Sequence, residues 1–167
     1  LYGMGAWGLA SRKHMSRERA QAFIEKYFAA HPEIQEYIAE TISLAHEQGY
    51  VETLFGRRRY LPEINSSMPR VRAGAERMAI NMPVQGTAAD LMKIAMINIQ
   101  NKLNTISKKT KMILQVHDEL VFEVPEKQVD DIIPFITEQM NTVYRLKVPI
   151  VTEVAVGDNW GELTKIE

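Results

Sequence analysis

The sequence contains no cysteine, no signal-peptide pattern, and no apolar run that approaches the roughly 20 residues of a membrane-spanning helix. Without cysteine the chain has neither disulfides nor thiolate metal ligands, which fits a reducing compartment. Internal repeats and low-complexity segments are also absent. The 167 residues are enough for one domain with its own core. Because the chain begins with Leu1 rather than Met, we expect it to be cut from a longer polypeptide.

Charge is nearly balanced overall but is unevenly distributed along the chain. The formal net charge is −1. Residues 50–117 contain 11 Lys or Arg against 4 Asp or Glu, whereas residues 118–167 contain 4 against 11. A basic middle segment can attract a polyanion such as nucleic acid. Solvated faces that cluster by sign explain the same pattern equally well, so charge alone leaves the partner open.

Hydrophobic periodicity and terminal signals predict an α+β fold, with helices packed on an antiparallel sheet. Ser16 is typical of a helix N-cap, Pro32 of a first helical turn, and Gly49 of a helix end. Pro83 is expected to divide a helical stretch in two, because proline lacks a donor and crowds the preceding turn. The predicted helices cover residues 16–30, 32–49, 71–81, 86–103 and 128–143; the predicted strands cover 50–54, 60–64, 112–116, 120–124 and 148–156, followed by a polar tail.

The stretch from Lys111 to Pro125 predicts a hairpin with an unusual turn. Its turn residues are His117, Asp118 and Glu119, where a plain hairpin favours Asn-Gly or Asp-Gly. Adjacent carboxylates repel each other unless a cation offsets them, and their hard oxygens suit Mg²⁺. We therefore interpret Asp118 and Glu119 as metal ligands for phosphoryl transfer, with a solvated turn as the alternative. His117 is open as a ligand, a phosphate contact or a turn residue, and zinc is disfavoured because no second His is near.

A second constellation consists of Arg77, Asn81 and Gln85. Arg77 and Asn81 lie four residues apart and hence on one helical face, and Gln85 follows Pro83. The DNA minor groove presents acceptors at every base pair, so donors aimed there sense pair shape without reading sequence. Capping of neighbouring helices or loops is the alternative role for these three side chains.

The run Arg57-Arg58-Arg59 lies between two predicted strands. Such a run is a candidate phosphate-binding patch. A solvated hairpin tip is an equally good interpretation of the same three residues.

Four segments of the chain carry a resemblance to a known family. They are YVETLFGRRRYLP at 50–62, AERMAINMPVQGTAADLMK at 75–93, QVHDELVFEVP at 115–125 and VAVGDNW at 154–160. They resemble the C-terminal part of the family A DNA polymerases, of the bacterial DNA polymerase I type. The likeness extends over essentially the whole chain, and the first three motifs are long.

The resemblance implies a catalytic role for the hairpin. Asp118 matches the palm carboxylate that coordinates Mg²⁺ in the family's third sequence motif. Glu119 matches its acidic neighbour, which has a supporting role. His117 matches a residue near the primer terminus. These matches predict DNA-templated nucleotidyl transfer by a two-metal mechanism, with primer–template DNA and dNTPs as partners.

The resemblance also implies DNA-binding and nucleotide-binding residues. Arg77, Asn81 and Gln85 match residues that line the primer–template minor groove near the active site. Arg59 matches a primer-backbone contact. Tyr2, with Gly3, matches the Tyr-Gly that ends the long fingers helix, where the Tyr packs at the nascent base pair.

For the architecture, the resemblance implies an antiparallel palm sheet with packed helices plus helical fingers elements. Residues 1–49 are expected to be a fingers-type segment and residues 50–167 a palm-type segment. A cytoplasmic, nucleoid-associated bacterial enzyme with no membrane partner is expected.

The family's first catalytic Asp and the fingers Arg and Lys that grip the triphosphate have no counterpart in these 167 residues. They are expected upstream of Leu1, in a missing part of the same polymerase. The two-metal site is then only partly contained here, and the isolated fragment is expected to be inactive.

Two further functions fit the residues alone. A non-catalytic DNA-binding module would keep its affinity for duplex DNA after Asp118→Ala. A metal-dependent phosphohydrolase would release nucleotide or phosphate without a template. The polymerase interpretation instead requires a template.

Overall fold

The computed structural model describes residues 5–166, which contain helices and short strands and confirm the predicted α+β class. Every strand pair is antiparallel, but the strands of the described residues form three separate two-stranded sheets, β1–β2, β3–β4 and β5–β6, rather than one. The elements are α1 (Ala6–Lys13), α2 (Arg17–Ala30), α3 (Pro32–Gln48), β1 (Tyr50–Glu52), β2 (Arg58–Tyr60), α4 (Pro69–Ile106), β3 (Lys111–Val116), β4 (Glu119–Glu123), a 3₁₀ turn (Glu126–Gln128), α5 (Val129–Asn141), β5 (Val154–Val156) and β6 (Thr164–Ile166).

These elements form two compact units, Leu1–Thr87 and Ala88–Glu167, and α4 contributes to both. The first unit has a core of seven buried side chains from α3, β1, the segment after β2 and the first half of α4. The core side chains are Ala45, Val51, Leu61, Ile64, Ala75, Ala79 and Met82.

The division into a fingers-type segment over 1–49 and a palm-type segment over 50–167 concerns roles in a polymerase and stays a prediction.

The helix ends predicted from local signals are confirmed. The Ser16 hydroxyl oxygen accepts a hydrogen bond from the Arg19 backbone N–H at 3.2 Å, which caps α2. Pro32 lies in the first turn of α3. Backbone N–H groups of the first turn have no acceptor within the helix, so the N–H that proline lacks costs no helical hydrogen bond. Gly49 ends α3 with a φ of 76°, a left-handed conformation that glycine adopts without a steric penalty.

The predicted strand over 60–64 is wrong. The strand that pairs with β1 is β2, which shares only Tyr60 with the predicted strand, and Leu61 and Ile64 instead lie buried in a turn. The Ile64 N–H donates to the Leu61 carbonyl at 3.0 Å, and Pro62 has no N–H with which to continue a ladder. Apolar residues that fill a core from a turn resemble a strand in sequence, which explains the error.

The predicted helix break at Pro83 is also wrong, because α4 runs continuously through it. Proline in a helix removes one backbone hydrogen bond and costs about 3 kcal/mol. The side chains of Ala79, Ile80 and Met82 are buried just before Pro83, and their burial offsets this cost. The Thr87 hydroxyl also donates to the Pro83 carbonyl and supports the following turn.

The second unit contains two hairpins and α5. Met92, Ala95, Ile99 and Leu103 of α4 are buried, as is Ile132 of α5. The predicted long strand over 148–156 is only β5, and the predicted polar tail contains β6, which pairs with it. No helix among residues 5–166 is both long and apolar enough to cross a membrane.

Candidate nucleic-acid interface and metal site

The β1–β2 hairpin lies against α4 in the first unit and is fixed there by polar contacts. The Leu54 backbone N–H donates to the Thr87 hydroxyl at 2.9 Å, and the Arg57 guanidinium donates to the Gly86 carbonyl at 3.0 Å. A Cβ on Gly86 would lie only 2.7 Å from the Thr53 methyl carbon. Glycine at this position therefore lets the hairpin approach the helix closely.

We predict opposite stability effects for two glycines of α4. Gly86→Ala should lower the free energy of unfolding by about 1 kcal/mol, since the cost of overpacking against Thr53 exceeds the gain in helix propensity. Gly74→Ala is the matched control, because its Cβ would meet only the Arg77 guanidinium, at 3.9 Å. It should raise stability by up to about 1 kcal/mol. Urea denaturation of both variants checks this, and equal changes in both would contradict the close approach at Gly86.

The three consecutive arginines have different surroundings. Arg57 binds the Gly86 carbonyl as described. Arg58 donates to the Glu52 carboxylate at 2.6 Å and lies 4.5 Å from the centre of the Tyr50 ring. The Glu52 carboxylate raises the pKa of Arg58 above its ordinary value.

Arg59 is exposed like its two neighbours but has a different contact, since it donates to the Met78 sulfur at 3.1 Å. A thioether is a weak acceptor, so this contact holds the guanidinium less firmly than a carboxylate or carbonyl would. Of the three arginines, Arg59 is therefore the best placed to exchange its contact for a phosphate.

An open groove of about 500 Å³ lies between β2 and α4. It brings together three of the predicted DNA-binding residues, Arg59, Asn81 and Gln85, although Arg59 lies more than 20 residues before the others. Arg77 is exposed on the same helix but does not line the groove. The lining residues are Arg57, Arg58, Arg59, Met78, Asn81, Met82, Gln85 and Gly86.

The side chain of Asn81 contains an unsatisfied group at this groove. Its Oδ1 atom is buried and has no hydrogen-bond partner. A buried polar atom without a partner costs free energy. The amide presents two donors and an acceptor, and rotation about its last bond can offer either to a ligand. Gln85, one helical turn further on, is exposed.

The hairpin of the second unit has the predicted position, with β3 and β4 each within one residue of expectation. Val116 pairs with Glu119, which leaves His117 and Asp118 as a two-residue turn. His117 has a φ of 52°, and the Gln115 side-chain amide donates to its carbonyl at 2.7 Å. His is one of the non-glycine residues more often found in this left-handed region. The turn thus forms without the glycine expected of a plain hairpin.

The two carboxylates of this hairpin differ in their contacts. Asp118 lies exposed at the tip. Glu119 is the first residue of β4, and its Oε1 accepts a hydrogen bond from the Trp160 indole N–H at 2.8 Å. This contact cannot be predicted from local sequence, because 41 residues separate the partners. The only signal was that Trp160 ends the VAVGDNW segment.

Asp118 and Glu119 fit part of a Mg²⁺ site. Mg²⁺ is commonly held by one or two carboxylates together with water and substrate phosphates. The hydrogen bond to Trp160 uses one oxygen of Glu119, and its second oxygen can still serve a cation. Within residues 5–166, no group of three or more His, Asp or Glu side chains is arranged to hold a metal ion. Tyr2, the predicted nucleotide-binding residue, lies outside the described residues.

Three comparisons identify the family. A model described as DNA polymerase family A matches residues 1–162. DNA polymerase I of Pseudomonas aeruginosa is 50% identical over 162 residues, which are 97% of this chain and 18% of that protein. The thermostable DNA polymerase I of Thermus aquaticus is 48% identical over 160 residues, 96% of this chain and 19% of that protein. This chain therefore spans about a fifth of the length of these relatives.

A solved structure agrees with the sequence comparisons. It is the POL domain of Pol1 from M. smegmatis in complex with DNA primer-template and dNTP. It is 42% identical and superposes with a TM-score of 0.84, over 89% of this chain and 26% of the other. Because the family model covers nearly all of the sequence, this chain belongs to DNA polymerase family A.

Proposed function

We propose that this chain forms part of a DNA polymerase I that transfers nucleotides from dNTPs to a primer 3′-hydroxyl under the direction of a template. The observation that carries the proposal is the structural similarity to the M. smegmatis POL domain, which was solved with primer-template and dNTP. The bacterial relatives also support a cytoplasmic, nucleoid-associated enzyme.

In this function the tip of the β3–β4 hairpin would hold catalytic Mg²⁺. The Asp118 carboxylate is exposed and carries hard oxygen ligands, so it would bind Mg²⁺ directly. Glu119 would assist through the oxygen that Trp160 does not use. When bound, Mg²⁺ supplies charge neutralisation for the phosphates and the leaving group. His117, adjacent in the turn, would contact the primer end.

The groove between β2 and α4 would bind the primer–template duplex. Asn81 and Gln85 present amide donors to minor-groove acceptors, which occur at every base pair. Arg59 would contact a backbone phosphate, and Arg77 would extend the donor row along α4. Contacts of this kind fix the position of the duplex without selecting its sequence, as copying any template requires.

We further propose that the metal site is completed by residues outside these 167. Two adjacent carboxylates supply too few ligands to hold two metal ions and to align both reacting groups. The much greater length of the relatives supports this. The isolated 167-residue chain should then extend no primer, and measurable extension by the purified chain would refute the proposal.

Template dependence separates this function from its two alternatives. A polymerase domain that contains this chain should incorporate only the dNTP complementary to the next template base, and nothing when the template strand is omitted. Release of phosphate or nucleotide from dNTPs without DNA would indicate a phosphohydrolase instead. Duplex binding without any incorporation would indicate a DNA-binding module. Extension of a labelled primer, with each dNTP supplied singly, distinguishes these outcomes.

A further inference from the structure

Trp160 lies in the loop that connects β5 to β6 and contacts the candidate metal hairpin. Its indole N–H donates to the Glu119 carboxylate at 2.8 Å. A bond from N–H to an ionised carboxylate is stronger than one between neutral groups. The Trp160 side chain is 51% exposed, so burial does not explain its position as it would for a core tryptophan.

The loop that carries Trp160 is held in place by its own hydrogen bonds. The Asn159 side chain accepts from the Gly161 backbone N–H at 3.0 Å and donates to the Glu162 carboxylate at 3.0 Å. The Glu162 N–H in turn donates to the Asn159 carbonyl at 3.2 Å. These bonds join residues on either side of Trp160 and stabilise the part of the loop that carries it.

Gly157 shows that the loop closes tightly at its base. A Cβ at this position would lie 2.1 Å from the Glu162 carbonyl oxygen, closer than any real contact. Because the obstacle is backbone, a side chain at 157 would force the loop to move. The backbone of the loop that carries Trp160 is therefore tightly packed at its base.

The bond restricts a side chain that would otherwise be free. Glu119 is exposed at the first position of β4, where a glutamate samples many rotamers, and fixing them costs conformational entropy. Because the Trp160 N–H already fixes the Glu119 side chain in the folded chain, this entropy is lost on folding and not again on metal binding. Hydrogen-bond partners of carboxylates at metal sites tune metal affinity in this way.

We propose that Trp160 is a positioning residue that holds Glu119, so that the hairpin presents Asp118 together with one oriented oxygen of Glu119 to Mg²⁺. This inference rests on the proposed polymerase function. It assigns to the β5–β6 loop a role in metal binding that acts through Glu119 and not through contact with the substrate.

The kinetic test uses a polymerase domain that contains this chain. Trp160→Phe keeps an aromatic ring but removes the donor, and it should raise the Mg²⁺ concentration for half-maximal primer extension about tenfold. The KM for primer–template should change less than about twofold, because the groove residues proposed to hold the duplex are unchanged. Lys165→Ala, which breaks an exposed ion pair of the same sheet, is the matched control and should leave the Mg²⁺ dependence unchanged.

A double-mutant cycle tests whether Trp160 acts through Glu119. If it does, Trp160→Phe added to Glu119→Ala should change the Mg²⁺ dependence by less than about twofold, since the bond is already absent. A full tenfold effect in the Glu119→Ala background would overturn the inference. So would a Mg²⁺ dependence unaffected by Trp160→Phe alone.

A spectroscopic readout is independent of activity. In protein labelled with ¹⁵N-tryptophan, the indole resonance that disappears in Trp160→Phe belongs to Trp160. It should shift in Glu119→Ala and on addition of Mg²⁺, and absence of both shifts would overturn the inference. If Trp160→Phe does not fold, benzothienylalanine at position 160 serves instead, because it replaces only the indole N–H by sulfur.

The failure of this inference can be distinguished from failure of the proposed function. Template-directed extension by the wild-type domain tests the function, and its absence would remove the basis for both. Asp118→Asn tests the metal site, and extension that survives it would overturn the positioning role while leaving the polymerase function in place. If Asp118→Asn abolishes extension while the Trp160 variants behave like wild type, only the positioning role is lost.

Discussion

Asp118→Asn, in a polymerase domain that contains this chain, is expected to reduce the rate of primer extension by at least about 1000-fold. The substitution keeps the size of the side chain but removes the negative charge that a hard cation requires. Asp118 lies exposed in a two-residue turn, so no buried network depends on its charge. The fold should therefore survive, and the loss should appear in kcat. Single-turnover extension of a labelled primer measures it.

The matched control for Asp118 is Asp131→Asn, in the first turn of α5. Asp131 is equally exposed, and its carboxylate only complements the helix dipole, worth about 0.3–1 kcal/mol of stability. Extension by this variant should stay within about twofold of wild type.

Duplex affinity should be retained in Asp118→Asn. If extension also persisted, the hairpin would not be the metal site and the chain would act as a DNA-binding element.

Arg59→Ala is expected to weaken binding of primer–template about tenfold, through loss of one charge-assisted phosphate contact. Arg59 gives up its weak bond to the Met78 thioether when it binds the duplex. The slope of log affinity against log salt should become shallower by about 1, since one fewer counterion is released. Fluorescence anisotropy of a labelled duplex at several salt concentrations measures both quantities.

Arg58→Ala is the control for Arg59, because it removes the same charge from the adjacent position. Arg58 is held by the Glu52 carboxylate and the Tyr50 ring, so we expect its loss to weaken DNA binding about threefold or less. Equal losses for the two variants would show that the basic run acts only through its total charge. A larger loss for Arg58 would contradict the assignment of Arg59 as the phosphate contact.

Features that depend on neighbours in sequence could be predicted well. Ser16 caps α2 and Gly49 ends α3, because a cap needs only a side chain or a backbone conformation within a few residues. The β3–β4 hairpin was predicted within one residue for the same reason. Its His117-Asp118 turn was noted as unusual, and the structure shows how it forms, with His117 in the left-handed region.

Features that depend on packing were predicted poorly. Pro83 carries a strong local signal for a helix break, yet buried neighbours keep α4 continuous. Leu61 and Ile64 have the composition of a strand but fill the core from a turn. In each case the free energy of burial exceeds the local preference, and a sequence window of a few residues does not contain the partners that decide the outcome.

The amino-acid sequence was sufficient to determine the α+β class, the hairpin with its two carboxylates, and the family, since these follow from local patterns and long motifs. The resemblance singled out Arg59, but only the tertiary structure supplied a physical difference between Arg59 and the chemically identical Arg57 and Arg58, which lies in what each one contacts. The tertiary structure alone revealed the bond from Trp160 to Glu119. The two side chains are 41 residues apart in the chain and meet only through tertiary folding, which no local sequence pattern records.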